Sequence, residues 1–312
     1  MVALAMPLDL PGDPPGRVVV TGGAGFIGHH LVAALIARGS DVLVIDDLST
    51  GRADRLPPSV RLERLDIASD DLTPPLEAWR PSTIFHLAAQ ASVPRSEAAP
   101  EADLRANALG TLRVIAAARS AGSSRIVFTS SGGAVYGETE TAATEDSPER
   151  PDSVYGLHKL LAERYLARSG IGHAIVRPSN IYGPGQDGQG EGAVVAAFTS
   201  AARTGTGIVI HGDGTQERDF LHVADLVSAL LVLAATPGSG TWNASVGAST
   251  TIAGLADLVE RIAGRQLERG AGPRRAGDVH LSRIASDRLR GLGWEPRVGL
   301  EEGLRQLIGG GA

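Results

Sequence analysis

Residues 18–35 read VVVTGGAGFIGHHLVAAL. An apolar, β-branched run ends at Thr21, glycines follow at Gly22, Gly25 and Gly28, and from Phe26 the apolar residues recur at helical spacing. A strand that turns through glycines straight into a helix is the opening unit of a parallel α/β sheet. The same alternation continues outward. Strand patterns begin at Arg17 (RVVVT), Asp41 (DVLVID), Val60 (VRLERLD), Ser82 (STIFHLA), Arg125 (RIVFTS) and His173 (HAIVRP), and helical patterns cover 26–38, 102–121 and 154–168. These strands are continuously apolar, the pattern of strands covered by helices on both faces. The expected fold is α/β, with a doubly wound parallel sheet of the Rossmann type.

After Arg177 the rhythm breaks. The glycine-rich stretch GPGQDGQGEG (183–192) is followed by a helical pattern, a short strand GIVIHG, a helical segment from Thr251 and then RGAGPRRAGD. This reads as a smaller C-terminal lobe over the carboxyl ends of the sheet. The expected division is an N-terminal extension at 1–16, a dinucleotide-binding domain at 17–180 to which 222–245 returns, and a substrate lobe from 181–221 and 246–312. The first residues, MVALAMPLDLPGDPPG, lack a basic start and a cleavable apolar core, so they read as a loose extension rather than a signal peptide.

Composition narrows the function classes. The 312 residues carry a net charge of −6, which offers no basic surface for nucleic acid. There is no cysteine, so disulfides, thiolate metal sites and a thiol nucleophile are excluded, and the cytoplasm fits. No apolar run reaches the roughly 20 residues that span a bilayer, so a soluble protein is expected. His29 and His30 are adjacent and expected on different helix faces, His158 is expected to be solvated, His86 closes a strand, and no HExxH occurs; no metal is expected.

The glycine turn sets up phosphate binding. Glycine permits a tight turn and close backbone approach to a pyrophosphate, and the helix amino end presents free N–H groups with a positive dipole end. Asp46, at the end of the second strand in VIDDLSTG, can accept hydrogen bonds from both hydroxyls of an adenosine ribose and would repel a 2′-phosphate. No arginine directly follows it, so NAD is favoured over NADP. Asp47 is the rival acid. Asp66 in RLDI either covers the adenine or caps its own strand.

The stretch DSVYGLHKLLAERY (152–165) puts Tyr155 and Lys159 four apart, on one face of a helix. Together with TGGAGFIG, FHLAAQ (85–90) and FTSSGGAVYG (128–137), it resembles the extended short-chain dehydrogenase/reductase family, in its branch of NAD-dependent nucleotide-sugar epimerases and dehydratases. SNIYGPGQ, GDGTQERDFLHVADL and RRAGD resemble the sugar-nucleotide branch in particular, and the resemblance runs from about Arg17 to Trp294.

The resemblance implies a catalytic set of Ser131, Tyr155 and Lys159. The segment from the fifth strand to Tyr136 is one residue longer than the common form. Aligned from the strand it selects Ser131, with Ser130 as a structural neighbour; counted back from Tyr136 it lands on Gly132, which has no hydroxyl. For NAD the resemblance implies Gly22, Gly25, Phe26, Ile27 and Gly28 at the turn, and Asp46, Asp47, Ser49, Thr50 and Gly51 after the second strand. It adds Asp66 and Ile67, Leu87, Ala88, Ala89 and Gln90, then Asn107, Thr129, Tyr155, Lys159 and Pro178. Asn107 reads equally as an ordinary polar helix residue.

For a UDP-sugar (or dTDP-sugar) substrate the resemblance implies Ser131, Asn180, Val194, Arg218, Arg275, Asp278 and Ser282, with His211 to Gly214 along the base. Arg suits the diphosphate geometrically; surface ion pairs are the plain alternative for Arg275 and Asp278. A small Ser282 stands where many strict glucose/galactose enzymes have a bulky tyrosine, leaving room for an N-acetyl group. The dehydratase branch has an acid pair where this chain has Gly133 and Ala134, and uronate enzymes have an arginine near the position of Gly185. The pattern is most like the shorter bacterial UDP-glucose 4-epimerases. It implies 4-epimerisation of a UDP-hexose through a 4-keto intermediate, with tightly bound NAD. A nucleotide-sugar 4-ketoreductase or another NAD-dependent sugar-nucleotide epimerase is the alternative, and a dinucleotide-sensing protein without chemistry the remaining one. The family pairs the helices at 102–121 and 154–168 across a homodimer.

A free phenol titrates near pH 10, about three units too high for a base at neutral pH, so Tyr155 needs about 4 kcal/mol of preferential stabilisation as phenolate. The Lys159 ammonium and an oxidised nicotinamide ring together are expected to supply it.

Overall fold

The computed structural model describes residues 16–187, 193–274 and 279–310. β1 (Arg17–Thr21) passes through the glycine turn into α1 (Phe26–Ala37), which returns the chain to β2 (Asp41–Asp46) and β3 (Arg61–Arg64). α2 (Thr73–Trp79) leads to β4 (Thr83–His86). A long helical stretch follows as α3 (Val93–Ala98), α4 (Pro100–Leu104), a π-helical turn (Arg105–Leu109) and α5 (Gly110–Ser120). β5 (Arg125–Thr129), α6 (Gly132–Tyr136), α7 (Val154–Ala167) and β6 (Gly172–Pro178) complete the repeating part.

The sheet has seven parallel strands in the order β10-β6-β5-β4-β1-β2-β3, where β10 is Gly240–Ala244. Strand order reverses between β1 and β4, so the crevice at their carboxyl ends is where a Rossmann-type sheet takes its ligand. Period-two alternation divides the strands between two cores. Val18, Val20, Phe85, Val127 and Val176 share one core with Leu31 and Leu35 of α1, while Val19, Ile84, Ile126 and Ile175 share the other with Leu76, Val114 and Leu166 of α2, α5 and α7.

Beyond β6 the chain forms β7 (Asn180–Tyr182), α8 (Val194–Thr204), β8 (Ile208–His211) and β9 (Glu217–His222). α9 (Val223–Ala235) then packs on α1, β5 and β6, and is buried on all sides from Val223 to Leu233. β11 (Ser249–Thr251), α10 (Ile252–Ala263), β12 (Arg269–Gly272), β13 (Leu281–Ser282), α11 (Asp287–Arg290) and α12 (Leu300–Gly309) follow β10. β7, β9, β11 and β13 form a small second sheet, and α8, α10 and α12 share a third core around Phe198, Leu255, Val259 and Leu304.

Two local departures from the sequence expectation have clear causes. The helix expected over 102–121 is interrupted by the π turn, because Asn107 directs its amide to the Gln90 carbonyl and to Asp103, and its own carbonyl accepts from Thr111 Oγ1 at 2.6 Å. β3 stops at Arg64 because the Asp66 carboxylate closes the next turn, accepting from Ala68 N at 2.8 Å and Ser69 Oγ at 2.9 Å.

Candidate active site

The glycine turn is as tight as its composition implies. Gly22 has φ +71°, and a Cβ on it would lie 2.6 Å from Ala88 N; a Cβ on Gly28 would lie 2.1 Å from Gly22 O. Gly25 caps α1 without any side-chain partner for the first-turn amides. Phe26 and Ile27 continue that turn half-buried. Asp46 is buried beneath it and accepts from Ala24 N and Leu48 N, each at 2.9 Å. Burial pushes its carboxyl upward, and those two amides pull it back. Asp47 is exposed and holds its own loop through Ser49. Thr50 is exposed, and Gly51 lies against Asp46 Oδ1, where a Cβ would come within 2.6 Å. Leu87 N and Ala88 N bond to Thr21, bringing the loop after β4 beside the glycine turn; Ala89 is exposed. Ile67 instead packs against Gly110, and the Asp66 side chain serves its own turn.

The catalytic candidates stand across the crevice. α7 starts at Ser153, whose hydroxyl accepts from Gly156 N at 3.1 Å. Val154 N donates to Glu97 and Tyr155 N to Ser96 Oγ at 3.0 Å, so α3 fixes the first turn that bears the tyrosine. A Cβ on Gly156 would lie 2.3 Å from Ala134 O; glycine there lets α6 press onto α7. That contact sets the Ser131 hydroxyl beside the Tyr155 hydroxyl, where it favours the ionised phenol. Ser130 points the other way, to the buried Glu163. Lys159 Nζ donates to Thr129 O at 2.6 Å and lies 4.3 Å above the Phe128 ring. Pro178 is buried at the end of β6, next to this group in the sheet.

Electrostatics in the protein by itself run against a tyrosinate. Burial pushes Tyr155 up to about 12, opposed by the neighbouring Ser131 hydroxyl and reinforced by the Asp103 charge. Burial pulls Lys159 down to about 8, opposed by Glu163 and Asp103. Lys159, turned to a strand carbonyl, does not by itself make the phenol a base. An ionised Tyr155 therefore calls for a positive charge beyond Lys159, of the kind an oxidised dinucleotide carries. Three features fit an oxidised dinucleotide: the uncapped amino end of α1, the glycine cradle, and Thr129 Oγ1, buried at the end of β5 with no hydrogen bond in the protein.

Several residues around the site escaped the sequence reading. His158 is buried, not solvated, because its Nδ1 lies 2.6 Å from the Asp103 carboxylate. Asp103 also accepts from Gln90 Nε2 at 2.7 Å and Asn107 Nδ2 at 2.9 Å, so Gln90 and Asn107 belong to one buried network. The Glu163–Arg177 ion pair, with Arg177 Nε 3.0 Å from Glu163 Oε1, closes the rear of the site. Glu163 follows Lys159 by four residues and Asp103 precedes Asn107 by four, a same-face spacing that marks such partners. His29 and His30 also differ from expectation: their ring centroids are 4.0 Å apart, because His29 Nδ1 turns back to Gly25 O while His30 Nε2 reaches Pro184 O.

On the substrate side, Arg218 and Ser282 are register partners on β9 and β13. A Cβ on Gly133 would lie 2.8 Å from Ser282 Oγ, which puts Ser282 against the residue two after Ser131. Arg218 is buried, and its guanidinium donates to the Val279 carbonyl at 2.7 Å and to the Glu217 carbonyl at 2.8 Å. Asn180 opens β7, paired with Phe220, and Val194 opens α8. A cleft of about 260 Å³ lies between Gly212, Asp213, Gln216, Arg274, Val279 and His280. Arg275 and Asp278 lie outside the described residues.

Comparison with known proteins bears on this geometry. Residues 18–245 match the sequence model of the NAD dependent epimerase/dehydratase family. The chain is 40% identical over 304 residues to a UDP-glucose 4-epimerase of Mycolicibacterium smegmatis, covering 94% of this chain and 97% of the relative. It superposes on the Thermus thermophilus UDP-glucose 4-epimerase complex with NAD with a TM-score of 0.89 at 37% identity, over 94% and 98% of the two chains. A UDP-N-acetylglucosamine 4-epimerase from Methanobrevibacter ruminantium, in complex with UDP-N-acetylmuramic acid, gives 0.87 at 32%, over 95% and 97%. Glycine turn, buried acid, serine–tyrosine–lysine set and sheet order thus occur together in a chain that belongs to the NAD dependent epimerase/dehydratase family.

Proposed function

We propose that the protein interconverts UDP-glucose and UDP-galactose by inverting carbon 4 of the hexose. The observation that carries this reading is the Tyr155 hydroxyl, set beside Ser131 and borne one helical turn from Lys159, at the carboxyl edge of the sheet beside the glycine turn. NAD, held by the glycine turn, Asp46 and the Lys159 side of the site, supplies the hydride acceptor and donor together with the positive ring charge. Tyr155 takes the proton of the sugar 4-hydroxyl as the 4-keto sugar forms, and returns it when the opposite face is reduced. Ser131 holds the oxygen between the two steps, and Lys159 keeps the tyrosine face positive.

The substrate end supports a UDP-hexose. Gly133 and Ala134 supply no acid to expel a 6-hydroxyl, which separates this site from dehydration. Ser282, small and adjacent to Gly133, leaves the sugar pocket open to an N-acetyl group, so UDP-N-acetylglucosamine is a second substrate in this reading. We also place the protein in the cytoplasm, where a chain without cysteine is at home. A homodimer is supported by Leu104, Leu109, Leu112 and Leu157, exposed apolar side chains on the α4–α5 stretch and α7.

Incubating the purified protein with UDP-galactose, and separately with UDP-N-acetylgalactosamine, and separating the products tests the reading. The expected result is the 4-epimer from both, with no added reductant. Failure to convert UDP-galactose overturns the assignment, and conversion that needs added reductant replaces it with a ketoreductase.

A further inference from the structure

Two successive peptide groups on the wall of the 260 Å³ cleft are held from both sides by opposite charges. Glu138 follows Gly137, the glycine that ends α6, and its carboxylate accepts from His280 N through Oε2 and from Leu281 N through Oε1, each at 2.6 Å. From the other side, Arg218 Nη2 donates to Val279 O at 2.7 Å and Arg218 Nη1 to His280 O at 3.3 Å. The peptide groups 279–280 and 280–281 thus each direct an N–H to the carboxylate and a carbonyl to the guanidinium. A peptide dipole aligned between an anion and a cation strengthens the hydrogen bonds at both of its ends. Glu138 is itself fixed on the catalytic side. A Cβ on Gly137 (φ +68°) would lie 2.1 Å from Arg150 O, and Glu138 N donates to Asp152 Oδ2 at 3.1 Å, one residue before the Ser153 cap of α7.

We propose that Glu138 is a positioning residue for Arg218: it orients the two peptide groups whose carbonyls hold the guanidinium, and so sets the place of the cation that meets the substrate diphosphate. The inference rests on the reading of the substrate end as a UDP-sugar site with Arg218 as its cation. A carboxylate that only closes a loop binds amides of its own turn, as Asp66 binds Ala68 N and Asp213 binds Thr215 N. Glu138 instead reaches amides 142 and 143 residues away. β9 grips the same segment, since Glu217 N donates to His280 O at 2.9 Å and Arg218 Nη1 to Glu217 O at 2.8 Å. Glu138 supplies the opposing pull, and Thr139 N extends it by donating to Leu281 O at 3.1 Å. The segment that meets Arg218 is therefore tied through Glu138 to the turn that begins the Tyr155 helix.

The test measures binding of UDP to the NAD-loaded protein by titration calorimetry, and of uridine, which lacks the diphosphate, by competition against UDP. Glu138→Gln puts an amide nitrogen where one accepting oxygen stood. It is expected to weaken UDP about tenfold while leaving uridine within about twofold. KM for UDP-galactose is expected to rise by about the same factor with kcat little changed, the pattern of a lost uniform binding interaction. In an Arg218→Met protein the same substitution is expected to leave UDP affinity where it was, since no guanidinium remains to be positioned. Unchanged UDP affinity in Glu138→Gln, equal losses for UDP and uridine, or a full effect that persists beside Arg218→Met overturns the inference and leaves the epimerase reading standing. A wild-type protein that does not bind UDP overturns both. Should Arg218→Met fail to fold, the ratio of UDP to uridine affinity in Glu138→Gln, set against that of the wild type, still decides it.

Discussion

Tyr155 shows how far a single side chain depends on its setting. Burial alone holds it as a phenol, and Ser131 offsets only part of that cost. Tyr155→Phe removes the proposed proton acceptor without removing ring volume, so kcat is expected to fall at least a hundredfold while NAD stays bound, measured by turnover and by cofactor content after purification. A near-normal rate would mean another group takes the proton. Ser130 and Ser131 also part company at this scale. Both hydroxyls sit in one motif, but the strand end sends Ser130 to Glu163 and Ser131 to Tyr155. His158 is buried where helical spacing alone points to solvent, because spacing locates a face but not what covers it.

Elements hold these residues through contacts that the motifs only hint at. α6 and α7 meet where Gly156 leaves room for the Ala134 carbonyl, and β6 meets α7 through Arg177 and Glu163. Arg177, 1% exposed, also donates to the Tyr136 hydroxyl and to Glu149. Arg177→Met leaves the Glu163 carboxylate buried without its partner, which is expected to cost about 3–5 kcal/mol, read from chemical denaturation. Adding Glu163→Leu is expected to recover part of that loss, because an apolar pair carries no desolvation penalty. The π turn at Arg105–Leu109 belongs to the same class of feature: apolar periodicity predicts a plain helix there, and only the packing of Asn107 against Gln90 and Asp103 explains the extra residue.

Across the whole molecule, burial of neutral histidines links stability to pH. His30 and His222 are pulled down to about 4 and His86 to about 3, in each case mainly by desolvation. Their folded values lie below that of an unfolded histidine, about 6.5, so the unfolded chain binds protons that the folded chain refuses. Their contribution is complete above pH 6.5 and is lost as pH falls toward 4, while Asp46, Asp219 and Asp225, raised by burial, act in the opposite sense. Melting temperature is expected to drop between pH 6.5 and 4.5, and His30→Gln, whose amide can keep the bond to Pro184 O, is expected to flatten that slope. An unchanged slope would show that the imidazole is not the group taking the proton. The strand–glycine–helix alternation was legible in the sequence because periodicity, glycine sterics and strand order are local properties of the chain, and they determined the sheet, the phosphate turn and the tyrosine–lysine face. Which hydroxyl reaches the tyrosine, which acid lies under the turn and what partners His158 were decided only by the tertiary structure, because each depends on burial and on contacts between segments far apart in the chain.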